Sequence, residues 1–384
     1  MKKFTALILF APSLAAAQIA LPSFESALRS VRTEIRANLG EMSRYFRLDW
    51  DAASKRYVCR NYRGDVGYNR FSVSEVVSRK DGECAKLDGA DLRGADLTRA
   101  SLKGADLRKA DLSGANASEA DFFSADLGEA KFEGAALRAA TLSGAQLGGN
   151  NLKRADLRGA NVTGADLRTA QLQGSNLEGA DFTKSDLKRA DLQGAEMAGA
   201  KFNEADMREV HFLEARLRAA TLNLADLRET DLRKADLFAA RLRGADLREA
   251  RLDEAVLNEA DVERANFRGA YLRRASLAGA EAGRADFSGA DLTGTTFRDA
   301  EMEQASFVGA KLRGATFRKA NLRGANLNGT DLSGAYFSKT DLRGADLIGA
   351  KVDGANLTNA RFNRRTLLPF SEEEALRRGM IKIQ

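Results

Sequence analysis

An apolar residue stands at every fifth position from Leu92 to Phe362 without one slip of register. Of these 55 positions, 47 are Leu or Phe, and the rest are Ala117, Val162, Met197, Met207, Val262, Ala282, Met302 and Val352. Two residues before each lies a small side chain, Ala in 47 of the 55 places, the exceptions being Asn150, Ser175, Ser185, Val210, Thr230, Thr295, Thr330 and Thr340. A helix of 3.6 residues per turn would smear this pattern around its whole cylinder, and a flat strand of period two would bury and expose it in alternation. What fits is a short extended piece, a corner, and then the same again, with the central Leu or Phe and the preceding Ala both pointing inward. Polar residues or Gly follow the central residue. Gly94, Gly104, Gly114 and Gly134 permit the positive φ of a type II turn, whereas Arg, Glu or Lys at the same place imply a different turn.

The repeating phrase is A-[DN]-L-x-x, as in Gly94-Ala95-Asp96-Leu97 and Gly344-Ala345-Asp346-Leu347. It resembles the repeat of the pentapeptide-repeat family over about 275 of the 384 residues. The resemblance implies an all-β fold, a right-handed quadrilateral β-helix (a solenoid) with four pentads per coil, so that residues twenty apart stack. The repeats would then make about 14 coils and, at ~4.8 Å per coil, a rod roughly 65 Å long. The Phe positions, taken in steps of twenty, agree with that coil size. Phe122, Phe182 and Phe202 fall on one side with Phe132 and Phe212 opposite; later Phe267, Phe287 and Phe307 face Phe297, Phe317 and Phe337, as a narrow core shared by large rings requires. A lumen so filled leaves no ligand cavity.

The ends are not repetitive. Residues 1–17, MKKFTALILFAPSLAAA, combine Lys2 and Lys3, an apolar run too short to span a bilayer, and an A-x-A site at Ala15 and Ala17. They read as a bacterial signal peptide, which places the mature chain in the periplasm or outside the cell with no transmembrane span. An oxidising compartment permits a disulfide between Cys59 and Cys84, closing a loop of about 25 residues worth roughly 3 kcal/mol; two independent buried thiols are the alternative. Residues 18–85 read as a small α+β cap or interaction domain. It has a helix over Pro22–Leu39 and short strands over Arg44–Trp50 and Lys55–Tyr62. After the repeat region, 86–363, residues 364–384 form a capping segment in which Ser371 and Glu374 make a capping-box signature for a short helix through Arg378, ended by Gly379. The resemblance implies that such a segment can serve as a homodimer interface.

Function classes narrow by what the chain lacks. One His and two Cys cannot build a His-rich or Cys₄ metal site, and no phosphate-cradling or nucleophile-elbow motif is present. His211 lies at an outward position with no convergent partners. No catalytic, cofactor-binding or metal-binding residue is assigned, and neither an enzyme nor a small-molecule substrate is expected. Charge divides unevenly: residues 1–85 sum to +5, 86–363 to −1 and 364–384 to +2. The resemblance also brings in duplex-mimicking inhibitors of type II topoisomerases. That role needs a dominant negative surface, which a repeat region at −1 does not offer, and access to a cytoplasmic target. One outward column, Arg168, Lys188, Arg208, Arg228, Arg248 and Arg268, is a candidate anion-binding ladder. The parallel column Asp166, Asp186, Asp206, Asp226 and Asp246 would compensate it. The expected function is therefore a rigid exported scaffold or protein-interaction module of the cell envelope with an unidentified macromolecular partner. The alternative is a binder of anionic polysaccharide or nucleic acid through that column or the basic N-terminal domain.

Overall fold

In the computed structural model, residues 46–52, 56–61, 63 and 65–384 are described. The signal segment and the helix expected over Pro22–Leu39 lie outside the described residues. Each pentad folds the same way. In the unit around Leu167, the Leu167 carbonyl accepts the Ala170 amide at 3.0 Å, closing a four-residue turn, while Leu167 N donates to Asp186 O at 2.7 Å and Asp186 N to Ala165 O at 3.0 Å. The residue before the central apolar one therefore pairs in parallel with the residue twenty further on, from Lys86↔Asp106 through Asp341↔Arg361. Four pentads complete one square coil.

The third residue of every turn, in steps of five from Cys84 to Asn359, has a φ between 51° and 73°. This corrects the expectation that Arg, Glu or Lys there would change the turn: Arg99, Lys109, Glu119 and Leu224 all take the left-handed conformation, and non-glycine residues outnumber glycine. The reason is that this residue's amide is itself a rung, Glu119 N donating to Arg138 O at 2.7 Å and Thr169 N to Lys188 O at 3.0 Å. A turn of the other type would break the ladder, so each non-glycine residue carries a left-handed cost of roughly 1–2 kcal/mol that the stacked coils offset.

Side chains at the central and Ala positions fill the lumen and are almost all fully buried. The rings form two ladders: Phe267, Phe287 and Phe307 stack at 4.7 and 5.1 Å, Phe297, Phe317 and Phe337 at 5.0 and 4.9 Å. The ladders meet edge to face at 5.8–5.9 Å across the core. Where Ser or Thr replaces the small Ala, its hydroxyl donates to a lumen carbonyl, Ser175 to Leu172, Thr230 to Leu227 and Thr340 to Phe317, at 2.6–2.7 Å. Asn150 differs: it is fully buried and neither amide atom has a partner.

Both ends carry added elements. Strands β1 (Arg47–Asp51) and β2 (Arg56–Arg60) form an antiparallel hairpin. Helix α1 (Val73–Arg79) was not expected from the sequence, although Ser72 and Glu75 complete a capping box that marks its start. Its Val76 is buried in the core, and beneath it Gly82 is so close that an added Cβ would lie 2.8 Å from Leu102 and 2.9 Å from Val76. At the far end one extra residue enters the last coil, so that Asp346 pairs with Leu367, twenty-one on. Strand β3 (Arg361–Phe362) then pairs with β4 (Ile381–Lys382), and helix α2 (Glu372–Arg377) lies between them in sequence. Ser371 accepts the Glu374 amide as expected, but the Glu374 carboxylate turns to Arg377 and Arg378, at 2.9 and 2.8 Å.

Candidate functional site

Two surfaces depart from uniform repetition: the cation column and the flank under the hairpin. The column side chains project outward on successive coils, and their neighbours follow from the local sequence. In each D-L-R or D-M-R unit the aspartate accepts the backbone amide two residues on, and the arginine folds back to clasp it with two parallel bonds. Arg168 holds Asp166 through Nε at 2.9 Å and a terminal nitrogen at 2.5 Å, Arg208 holds Asp206 at 2.8 and 2.5 Å, and Arg228 holds Asp226 at 2.8 and 2.6 Å. Arg248 clasps Asp246 in the same way, at 2.9 and 2.6 Å. Longer contacts reach the next coil, Arg208 to Asp226 at 3.6 Å and Arg228 to Asp246 at 3.7 Å. Lys188 pairs with Glu209 at 3.3 Å, and Arg268 lies 3.9 Å from Asp286. The Arg168 guanidinium holds the Asp166 carboxyl below the usual carboxylate range, and Arg208 does the same for Asp206. His211 is exposed in another column, between Asp191 and Asp231.

The hairpin is anchored to the side of the rod by a disulfide, a close glycine contact and an aromatic pair, with a hydrogen bond from Leu48 N to Glu83 Oε1 at 3.1 Å beside them. Cys59 and Cys84 are joined as a disulfide, with their Cα atoms 5.8 Å apart. Gly104 lies directly beneath: a Cβ there would stand 2.5 Å from Leu48 Cδ1 and 3.0 Å from Cys59 Sγ, so any larger residue would force the Leu48 side chain out of its present place. Tyr57 meets Phe123, an outward residue of the second coil, edge to face at 4.8 Å, and Trp50 meets Tyr57 at 5.2 Å. Trp50 and Tyr57 lie on the two strands expected from the sequence, whereas nothing in the repeat pattern set Phe123 or Gly104 apart as a contact. Phe123 could have been noticed as a ring at an outward position; Gly104 looks like any other turn glycine.

The same packing creates a buried charge. Asp106 is fully enclosed, with Arg108 and Lys86 each bonded to it at 2.8 Å. The Arg108 bond, reinforced by Lys86, outweighs desolvation and holds its carboxyl down at about 2. Tyr68 lies beside it with Lys86 5.7 Å above the ring, and burial, with help from Asp106 and Asp126, pushes the phenol up. Among the described residues no group of His, Cys, Asp and Glu side chains could hold a metal ion, and no helix is long and apolar enough to cross a membrane.

A family model of pentapeptide repeats, eight copies long, matches the chain in overlapping stretches between residues 85 and 364. No curated protein matches. Among solved structures, HetL, a pentapeptide repeat protein involved in heterocyst differentiation regulation in the cyanobacterium Nostoc, is 32% identical, covering 56% of this chain and 89% of its own, with a TM-score of 0.31. QnrB1, a plasmid-mediated fluoroquinolone resistance protein, is 23% identical over 51% of this chain and 89% of its own, with a TM-score of 0.28. A pentapeptide repeat protein of the Arabidopsis thaliana thylakoid lumen is 36% identical over 24% of this chain and 69% of its own, with a TM-score of 0.14. With the family's repeat matched across most of its length and every pentad stacked on the one twenty residues away, the chain belongs to the pentapeptide-repeat family and is a right-handed quadrilateral β-helix.

Proposed function

We propose that this chain is an exported, non-enzymatic scaffold of the cell envelope that presents a protein-recognition surface on a rigid rod. The observation that carries the reading is the aromatic cluster of Trp50, Tyr57 and Phe123. Its Trp50 and Tyr57 rings are 51% and 41% exposed, yet the hairpin that holds them is fixed to the rod by a covalent bond and a close glycine contact. Exposed rings held at low conformational cost are what recognition surfaces use. The Cys59–Cys84 bond is consistent with an oxidising compartment and so supports export. Self-association through the C-terminal segment, where Leu376 and Ile381 are exposed, is a second interaction this reading includes.

The anionic-polymer alternative has less support, because each column cation already has a carboxylate within 4 Å and little field is left over. A duplex mimic would need those carboxylates free. The test is affinity capture from an envelope fraction with the mature chain and with Trp50→Ala/Tyr57→Ala. A partner retained by the first and lost by the second is expected; equal capture by both, or accumulation of the unprocessed chain in the cytoplasm, would overturn the reading.

A further inference from the structure

The hairpin does not lie flush against the rod. Between them runs a cleft of about 590 Å³, walled by Leu48, Tyr57, Val58, Val66 and Tyr68 on one side and by Ser124, Asp126 and Gln146 on the other, with Gly104 and Gly144 as its floor. That volume lies within the roughly 300–1,000 Å³ typical of small-molecule sites. We propose that this cleft binds an uncharged pyranose unit of an oligosaccharide, a role that goes beyond the scaffold reading and stands or falls separately from it.

The chemistry of the lining selects the ligand class. Two tyrosine rings and three aliphatic side chains suit the C–H face of a sugar ring. Opposite them stand a hydroxyl, a carboxylate and an amide, the groups that meet sugar hydroxyls, each of which both donates and accepts. The phenols of Tyr57 and Tyr68 and the amide of Gln146 have no hydrogen-bond partner among the described residues, so all three are free to contribute. Charge excludes the competitors. Among the described residues the lining contains no cation, so a phosphate, sulfate or carboxylate would meet only Asp126. Asp126 in turn is held by the Gly128 amide at 3.1 Å and lies 3.5 Å from Arg108, which leaves no net charge to attract a cation.

Isothermal titration of the full chain with glucose, N-acetylglucosamine, cellotetraose and chitotetraose tests this, at low and high salt. Saturable binding of at least one sugar, insensitive to salt and weakened about fivefold or more by Gln146→Ala and by Asp126→Asn, is expected. Binding of the tetrasaccharides alone identifies a polymer as the source, and equal binding of the monosaccharides identifies a free sugar. Gln146 is exposed on the rod wall, so its truncation leaves the fold intact, as circular dichroism would verify. No saturation by any of the four at millimolar concentration, or affinity unchanged in both variants, would overturn the proposal.

Discussion

A single side chain shows how strictly the lumen is specified. Asn150 occupies a position built for Ala, with both polar atoms enclosed and unbonded, whereas the Ser and Thr residues at equivalent positions reach a carbonyl three residues back or one coil away. An unsatisfied buried amide costs about 1–3 kcal/mol. Asn150→Ala is therefore expected to raise stability by roughly that amount in urea melts; an equal or lower midpoint would mean that the amide is satisfied in solution. The aspartates supply a second prediction at this scale. Arg93 holds the Asp91 carboxyl at about 2, and Arg108 holds Asp106 at about 2, both below the ~3.9 of an unfolded chain. Folded values lower than unfolded ones mean that this stabilisation is complete above about pH 4 and is lost as pH falls towards 2. Urea midpoints should be flat from pH 7 to 5 and drop between pH 4 and 2. A midpoint unchanged at pH 2.5 would contradict the clasped geometry.

Elements were legible in proportion to how local their cause is. The inward positions followed from the five-residue period alone, and the hairpin strands and the Ser371 cap followed from short patterns that need no partner. The left-handed conformation of Glu119 did not, because it is imposed by a bond to a coil nineteen residues further along. Helix α1 was overlooked between two stronger signals even though Ser72 and Glu75 announce it. The flank site was the least visible: Gly104 carries no mark distinguishing it from Gly94 or Gly114, beside which a Cβ would find open space. That difference is testable. Gly104→Ala should detach or displace the hairpin and raise the susceptibility of β1 and β2 to protease, while Gly114→Ala, which carries only the left-handed cost of roughly 1–2 kcal/mol, should leave the hairpin protected. Equal protection in the two variants would show that the hairpin does not rest on Gly104.

At the scale of the whole molecule the coil, not the pentad, is the unit of exchange. Removing residues 227–246 takes out one complete turn and joins faces that already match, so the shortened chain should fold, with circular dichroism unchanged in shape and the rod shorter by ~4.8 Å. Removing only 227–231 keeps the five-residue period but rotates everything downstream by one face, which moves the Phe267 and Phe297 ladders from the walls adjacent to those of Phe202 and Phe212 onto the same walls. That chain should fold too, because Leu and Ala still fill each corner, but the outward columns no longer match at the junction: Arg233 takes the place of Arg228 and meets Arg251 where Arg228 lay 3.7 Å from Asp246, and the melting midpoint should fall further than for the longer deletion. A lower midpoint for the twenty-residue deletion would contradict this. The lone indole of the chain, Trp50, is linked through Tyr57 to Phe123 on the rod wall. Its emission is accordingly a built-in gauge of one attachment point, while backbone ellipticity reports the coils. Comparing the two signals during denaturation, before and after reduction of the cystine, measures directly how firmly one cross-link couples a small appended unit to the cooperative unfolding of a long one.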